Sequence, residues 1–191
     1  VDKPEEFWIS VWDFCGLVSE MRGERVLIDG DKMPGASWFP DARLNFAQNL
    51  LRSRDDTDAL VFWGEDKVRR RLTHAELYRA VAQLAAALRA QGVVPGDRIA
   101  AIMPNMPESV IVMLATASLG AIFSSCSPDF GVQGVLDRFG QIEPKVLVAA
   151  DGYYYKGKVI DCLGKIGDIV DCLPTVESVV IVPYVYAQHD L

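Results

Sequence analysis

Residues 152–158, Gly-Tyr-Tyr-Tyr-Lys-Gly-Lys, fit the G-x-x-x-x-G-K pattern of a phosphate-binding loop. In such a loop, backbone N–H groups surround a phosphate and the lysine adds a positive charge. The next residue is Val159 rather than Ser or Thr, so the hydroxyl that would hold magnesium is missing. Two interpretations stay open: a surface turn at Gly157 with solvated lysines, or a loop beside a helix start whose Lys156 and Lys158 contact a ligand phosphate.

A second candidate is the segment 124–131, Ser-Ser-Cys-Ser-Pro-Asp-Phe-Gly, which follows a predicted strand. α/β proteins bind ligands at the carboxyl edge of the sheet, and small residues allow a ligand to approach the backbone closely. The alternative is structural, because Ser-Pro-Asp is typical of a turn and Asp129 is expected to cap the next helix. The local sequence favours the structural interpretation.

The histidines and cysteines give little support to nucleophilic or metal chemistry. The four cysteines form no C-x-x-C pair, and His74 and His189 lie far apart. We therefore predict no metal centre, since zinc ligands usually come in close pairs. No G-x-S-x-G is present and no G-x-G-x-x-G follows a predicted strand, so no catalytic residue of a hydrolase or dinucleotide enzyme is assigned. Reduced cysteines packed as small hydrophobic side chains indicate a cytoplasmic protein.

The composition is that of a globular protein with an acidic surface. Half of the 191 residues are hydrophobic, and the net charge is −7. This charge repels nucleic-acid backbones, and no cluster of lysine and arginine offsets it, so we exclude nucleic acid as a partner. The longest apolar run, residues 110–126, contains a glycine and four hydroxyl side chains, and we predict no membrane span.

The first part of the chain predicts helical and irregular structure. Apolar residues at helical spacing indicate a helix over 7–21 and a short helix over 44–51, separated by an irregular segment rich in Pro, Gly and aromatic residues at 33–43. The chain starts with Val rather than Met, and its last residues follow a predicted strand, so we expect both ends to lie inside a longer chain.

The remainder alternates between strand and helix patterns. Residues 58–71 predict a hairpin, and Thr73-His-Ala-Glu76 matches the capping box of a helix that Gly92 ends. Further strands are predicted at 98–103, 121–124, 145–150 and 178–182, and further helices at 107–119, 132–142 and 158–173. This alternation predicts an α/β fold, a mostly parallel sheet with helices on both faces. We expect an N-terminal segment at 1–57 and an incomplete α/β subdomain at 58–191.

Three stretches together resemble one family. Residues 33–51, Met-Pro-Gly-Ala-Ser-Trp-Phe-Pro-Asp-Ala-Arg-Leu-Asn-Phe-Ala-Gln-Asn-Leu-Leu, resemble the opening segment of acetoacetyl-CoA synthetases, and acetyl-CoA synthetases carry a looser version. Residues 92–125 are similar to the early core of adenylate-forming enzymes. The acetoacetyl branch is favoured by Ser-Pro-Asp-Phe-Gly at 127–131, Gln-Ile-Glu-Pro-Lys-Val at 141–146 and Val-Ile-Val-Pro-Tyr-Val at 180–185.

This resemblance implies the N-terminal portion of a ligase that works in two steps. The acid attacks the α-phosphate of ATP, giving an acyl-adenylate and pyrophosphate, and the thiolate of coenzyme A then displaces AMP. The implied cofactors are ATP, Mg²⁺ and coenzyme A, and the implied partners are small-molecule substrates and the remainder of the parent chain. The family's phosphate loop, nucleotide contacts and catalytic lysine lie downstream, so we expect the 191 residues alone to be inactive.

One family site falls inside the chain. In acetyl-CoA synthetases, basic residues after the strand corresponding to 145–150 contact the 3′-phosphate of coenzyme A. The resemblance carries this contact onto Tyr155, Lys156 and Lys158, with Tyr155 and Lys158 at family arginine positions. Lysine keeps the charge of arginine but loses its planar fork, and tyrosine loses the charge.

Two alternatives remain beside the acetoacetate ligase. The acid could be acetate, propionate or a longer chain, because the pocket that selects it lies downstream in the family. The chain could instead be a non-catalytic α/β module that binds a nucleotide or a protein partner, with residues 152–158 as its best support.

Overall fold

In the computed structural model, which describes residues 3–186, the first element is helix α1 (Pro4–Cys15). Proline suits the first turn of a helix because its missing N–H would have no partner there. Gly16 then adopts a φ of 55° and ends the helix, since glycine enters the left-handed region without a steric penalty. The predicted continuation of this helix to residue 21 is therefore wrong.

The chain divides into two compact units, Val1–Arg52 and Ser53–Leu191. Within the first unit, α1 is followed by the short antiparallel strands β1 (Leu27–Ile28) and β2 (Ser37–Trp38) and by helix α2 (Phe46–Leu50). The Arg52 guanidinium donates hydrogen bonds to the carbonyl oxygens of Cys15 and Gly16, at 3.0 and 2.6 Å. This contact joins the C-terminal end of α1 to the last residue of the first unit.

The second unit begins with the predicted hairpin, strands β3 (Asp58–Gly64) and β4 (Val68–Thr73). Helix α3 (His74–Ala90) follows directly. The predicted capping box is confirmed, because the Thr73 hydroxyl accepts from the Glu76 N–H and the Glu76 carboxylate accepts from the Thr73 N–H. Each side chain satisfies a backbone donor that the first turn leaves without a partner.

A four-stranded parallel sheet forms the centre of the second unit, and its strands run in the order β10-β7-β5-β6. Its strands and the helices between them are β5 (Arg98–Ile102), α4 (Pro107–Ser118), β6 (Ile122–Cys126), α5 (Val132–Ile142), β7 (Val146–Ala150), α6 (Leu163–Asp171) and β10 (Ser178–Val182). Every residue of β7 is buried. The α/β fold is thus confirmed.

Alternate residues of the central strands face different helices. Ala100 of β5 and Leu147 of β7 belong to one core cluster with Phe139 of α5 and Ile169 of α6. The neighbouring residue Ile99 is also fully buried and points to the other face, because side chains alternate along a strand. Both faces of the sheet are covered.

The segment after β7 differs from the prediction. Instead of a helix over 158–173, the chain forms an antiparallel hairpin of β8 (Gly152–Tyr155) and β9 (Lys158–Asp161), and only then α6. The central turn residues Lys156 and Gly157 have φ values of 50° and 75°, as a two-residue type I′ turn requires. The aromatic and β-branched residues flanking this turn favour strands, which the helical spacing further along concealed.

Candidate functional site

The loops that follow the parallel strands meet at one edge of the sheet. From β5 the chain passes to β6 on one side and then crosses to β7 on the other, so the order reverses between β5 and β7. Ligands of open α/β sheets bind beyond the carboxyl ends of the strands at such a point. The residues that directly follow the four strands here are Met103, Ser127, Asp151 and Pro183.

Asp151, directly after β7, has no exposed surface. Its carboxylate accepts hydrogen bonds from three consecutive backbone N–H groups, those of Tyr184, Val185 and Tyr186, at 2.9–3.0 Å. A buried carboxylate is costly unless hydrogen bonds replace its water, and these donors do so. Asp151 therefore fixes the segment after β10 beside the start of β8. The sequence signal for it was a single acidic residue after an apolar strand.

The hairpin of β8 and β9 brings together the three residues that the family resemblance selects. Tyr155 and Lys158 are cross-strand partners, which places their side chains on the same face. The Lys156 ammonium lies 5.3 Å from the centre of the Tyr155 ring, within the range of a cation–π contact. All three side chains are exposed. The turn thus presents two ammonium groups to solvent beside an exposed tyrosine, and the ammonium groups suit a phosphate.

Glu65, which sequence reasoning did not select, contacts the backbone of this turn. Its two carboxylate oxygens accept from the N–H groups of Lys156 and Gly157, at 2.7 and 2.9 Å. Glu65 itself occupies the turn between β3 and β4, with a φ of 51°. The phosphate-loop interpretation is therefore wrong. Lys158 lies in a strand rather than at a helix start, and the carboxylate of Glu65 accepts the hydrogen bonds of the turn's N–H groups that a phosphate would need.

An aromatic contact joins the same two hairpins below their turns. The ring of Tyr184 lies 5.3 Å from that of Tyr154 in β8 and 6.1 Å from that of Phe62 in β3. Burial raises the pKa of the Tyr184 phenol above its ordinary value, and Tyr154 and Glu65 add to this shift. A side chain at Gly64 would place its Cβ 2.3 Å from the Tyr184 hydroxyl. An alanine at this position would therefore force the Tyr184 side chain to shift.

The segment 124–131 contains the end of β6 and a turn. The Lys165 ammonium, from α6, donates hydrogen bonds to the carbonyl oxygens of Pro128 and Phe130. The predicted helix cap by Asp129 is wrong, because Gly131 is the N-cap of α5 and no side chain caps it. The guanidinium of Arg138 lies 4.2 Å from the centre of the Phe130 ring. Side chains of α5 and α6 hold this loop.

A cleft of about 410 Å³ lies beside the carboxyl ends of β5 and β6. Its lining is formed by apolar and small polar side chains that include Met103, Val110, Phe123, Cys126 and Ser127. Burial raises the pKa of the Cys126 thiol to about 11. The thiolate, which is the nucleophilic form of cysteine, is therefore scarce near neutral pH.

The described residues contain little else that resembles a catalytic or metal centre. His74 is half-buried at the first position of α3, and His189 lies outside the described residues. Across residues 3–186, His, Cys, Asp and Glu side chains form no group of three that could hold a metal ion. None of the helices in this range combines the length and the apolar character that crossing a membrane requires.

Two family models match the chain. The model described as "AMP-binding enzyme" matches residues 46–188, which is more than half of the chain. The model described as "Acetyl-coenzyme A synthetase N-terminus" matches residues 1–50. The second match agrees with the N-terminal position that the sequence predicts.

Relatives are similar over nearly the whole chain. An acetoacetyl-coenzyme A synthetase from Rhizobium meliloti is 58% identical over 186 residues, which are 96% of this chain and 28% of the relative. The structure of an acetoacetyl-CoA synthetase from Streptomyces lividans is 43% identical with a TM-score of 0.94, over 99% of this chain and 30% of that one. A malonamoyl-CoA synthetase from Penicillium aethiopicum is 37% identical over 97% of this chain and 27% of its own length.

These similarities confirm the resemblance to acetoacetyl-CoA synthetases. The chain spans less than a third of the length of the curated relatives it matches. The structural similarity covers 99% of this chain, including its parallel sheet and the hairpin at residues 152–161.

Proposed function

We propose, because the chain belongs to the AMP-binding enzyme family, that it forms the N-terminal portion of an ATP-dependent acetoacetate–CoA ligase. The parent enzyme would convert acetoacetate, ATP and coenzyme A into acetoacetyl-CoA, AMP and pyrophosphate. The similarity to acetoacetyl-CoA synthetases over 96–99% of this chain carries the proposal.

Within this proposal, the hairpin turn binds the 3′-phosphate of coenzyme A. Lys156 and Lys158 supply positive charge at an exposed turn, and Tyr155 lies beside both of them. A phosphate dianion is attracted to two ammonium groups without needing the planar fork of arginine. The site is open to solvent, so we expect the contact to weaken as salt increases.

The remainder of the parent chain would carry out the reaction of the acid with ATP. The family resemblance implies that the groups holding Mg²⁺ and the phosphates of ATP lie downstream of residues 3–186. ATP, when bound, supplies the adenylyl group that activates the acid, and pyrophosphate leaves. The described residues form the scaffold and the coenzyme A contact. Four unpaired cysteines support a cytoplasmic location.

Lysine variants of the full-length parent enzyme test the coenzyme A contact. Lys158→Ala should raise the KM for coenzyme A and leave acyl-adenylate formation unchanged, because only the second step uses coenzyme A. Lys156→Asn removes a charge while keeping a residue that tolerates the left-handed conformation before Gly157, and it should act in the same direction. Lys32→Ala, at an exposed ion pair with Asp29 in the first unit, is the matched control. An unchanged coenzyme A dependence in both test variants would remove the assignment.

The identity of the acid is tested separately. Steady-state kinetics of the parent enzyme with acetoacetate, acetate and propionate should give the highest kcat/KM for acetoacetate. A preference for acetate or propionate would favour the alternative acyl-CoA synthetase. The similarity to a malonamoyl-CoA synthetase at 37% identity makes malonamate a useful fourth substrate.

The non-catalytic module is a weaker alternative because residues 152–158 form a hairpin rather than a phosphate loop. We expect the isolated chain to release no pyrophosphate from ATP in the presence of acetoacetate. Calorimetry with ATP and Mg²⁺ distinguishes the ligase portion from the nucleotide-binding module. Tight, magnesium-dependent ATP binding by these 191 residues would favour the module.

A further inference from the structure

We infer that Glu65 is a positioning residue for the coenzyme A phosphate, holding the turn that presents Lys156 and Lys158. This inference rests on the proposed function, since it concerns the same phosphate contact. Glu65 comes from the β3–β4 turn and is 91 residues away from Lys156 in the sequence. It reaches the phosphate only through the β8–β9 turn, so its role is positioning rather than direct binding.

The geometry is that of a carboxylate bound by two successive amides. The separate oxygens of Glu65 accept from Lys156 and Gly157 at 2.7 and 2.9 Å. These two N–H groups belong to the central turn residues, whose positive φ values direct successive amides toward an anion. Each oxygen thus has its own donor.

The hairpin needs such support because it is short. β8 and β9 contain four residues each and, among residues 3–186, pair only with one another. An isolated two-stranded hairpin is marginally stable in water, so its tip would sample many positions without a further contact. Glu65 restricts the tip, and the ammonium groups are then ordered before the ligand arrives. Ordering in advance lowers the entropic cost of binding.

The support for Glu65 comes from its own hairpin. Phe62 and Gly64, at the end of β3, both contact Tyr184. Tyr184 is in turn fixed by its backbone hydrogen bond to the buried carboxylate of Asp151. The contact therefore connects the turn to the carboxyl edge of the parallel sheet.

The charge of Glu65 and its support of the turn predict opposite effects on the KM for coenzyme A, so the direction of the change distinguishes them. A carboxylate near the site repels a phosphate, so loss of its charge alone should lower the KM for coenzyme A. Loss of the turn's support should raise it. The neighbouring residue Asp66 offers a matched control, because its carboxylate is exposed and pairs with Lys67 at 3.5 Å rather than with the β8–β9 turn.

The experiment compares Glu65→Gln, Glu65→Asp and Asp66→Asn in the full-length parent enzyme, with coenzyme A and with 3′-dephospho-coenzyme A. Glu65→Gln keeps the length but replaces one oxygen by a donor, and Glu65→Asp keeps the charge but shortens the reach. Both should raise the KM for coenzyme A about three- to tenfold, the range of the net contribution of one ordinary hydrogen bond. Neither should change the KM for the dephospho form or the rate of ATP–pyrophosphate exchange, which also shows that the variants are folded.

Asp66→Asn should leave the KM for coenzyme A unchanged or lower it. The combination of Glu65→Gln with Lys156→Asn and Lys158→Ala should raise the KM no further than the two lysine changes alone, since Glu65 acts only through these lysines. If Lys158→Ala raises the KM while Glu65→Gln leaves it unchanged or lowers it, the positioning role is overturned and the proposed phosphate site stands. Equal KM changes for both forms of the cofactor would also overturn it. If neither Lys158→Ala nor Lys156→Asn has an effect, the proposed phosphate site fails and this inference fails with it.

Discussion

Oδ1 of Asp151 lies 2.9 Å from the backbone nitrogen of Tyr184, although 33 residues separate them in the sequence. This hydrogen bond joins the carboxyl ends of the adjacent strands β7 and β10. Asp151 is also the link between the sheet and the β8–β9 hairpin, because its carbonyl oxygen accepts from the Cys162 N–H at 2.8 Å. One buried residue thus orders two segments at the edge where the candidate site lies.

Asp151→Asn should lower the free energy of unfolding by about 2 kcal/mol. The carboxylate is charged and offers two acceptor oxygens, whereas the amide is neutral and offers one. Its NH₂ group would also face a backbone donor. Urea-induced unfolding of the chain measures the change. Asp168→Asn, the same substitution on the exposed side of α6, should change the stability little. Equal stability of the two variants would contradict the structural role of Asp151.

Gly64→Ala should destabilise the chain by about 1–3 kcal/mol, the usual cost of forcing an extra carbon into a packed site. The new Cβ would lie 2.3 Å from the Tyr184 hydroxyl. Adding Tyr184→Phe removes that oxygen and should recover part of the loss, as a double-mutant cycle measured by thermal unfolding would report. If the second substitution adds a further loss of its own, the clash is not the cause.

The four cysteines should react at two different rates. Cys15 and Cys172 are exposed, whereas Cys126 and Cys162 are buried, and burial raises the pKa values of both buried thiols, for Cys126 to about 11. At pH 8, an aromatic disulfide reagent should therefore modify two thiols rapidly in the folded chain and all four in guanidinium chloride. Rapid reaction of three or four thiols without denaturant would contradict the burial of this pair.

Asp97 should make the stability depend on acid pH. The Val94 N–H donates to its carboxylate, and with the Lys145 ammonium it holds the pKa of Asp97 below the ordinary value of 3.8. This contribution is fully present above pH 3.8 and is lost as the pH falls through the lower pKa of the folded state.

Asp97→Asn should consequently be less stable than the wild type at pH 7, and the difference should shrink as the pH falls toward 2. Urea unfolding across this pH range measures it. Asp171→Asn, the same substitution at an exposed position, serves as the control. A difference between Asp97→Asn and the wild type that stays constant with pH would argue against this linkage.

Short-range sequence patterns were sufficient to predict most of the helices and strands. Thr73 and Glu76 form their capping box from residues three apart, and the predicted bounds of α5 and β10 agree with the structure. Buried strands such as β7 follow from continuous apolar runs between turn residues. The α/β fold could be predicted for this reason.

The residues that order the site were harder to predict. Apolar residues of α6 at helical spacing extended the predicted helix back to Lys158, where the chain instead forms the second strand of a hairpin. Nothing local marks Lys165 as a donor to the carbonyl oxygens of Pro128 and Phe130, because those atoms lie 35 or more residues away.

The sequence by itself determined the alternation of helices and strands, because caps, turns and apolar spacing act within a few residues. The family resemblance also predicted which side chains contact a phosphate. Only the tertiary structure decided how Tyr155, Lys156 and Lys158 are presented. Their turn is held by the carboxylate of Glu65, and a hydrogen bond across 91 residues forms only after the chain has folded.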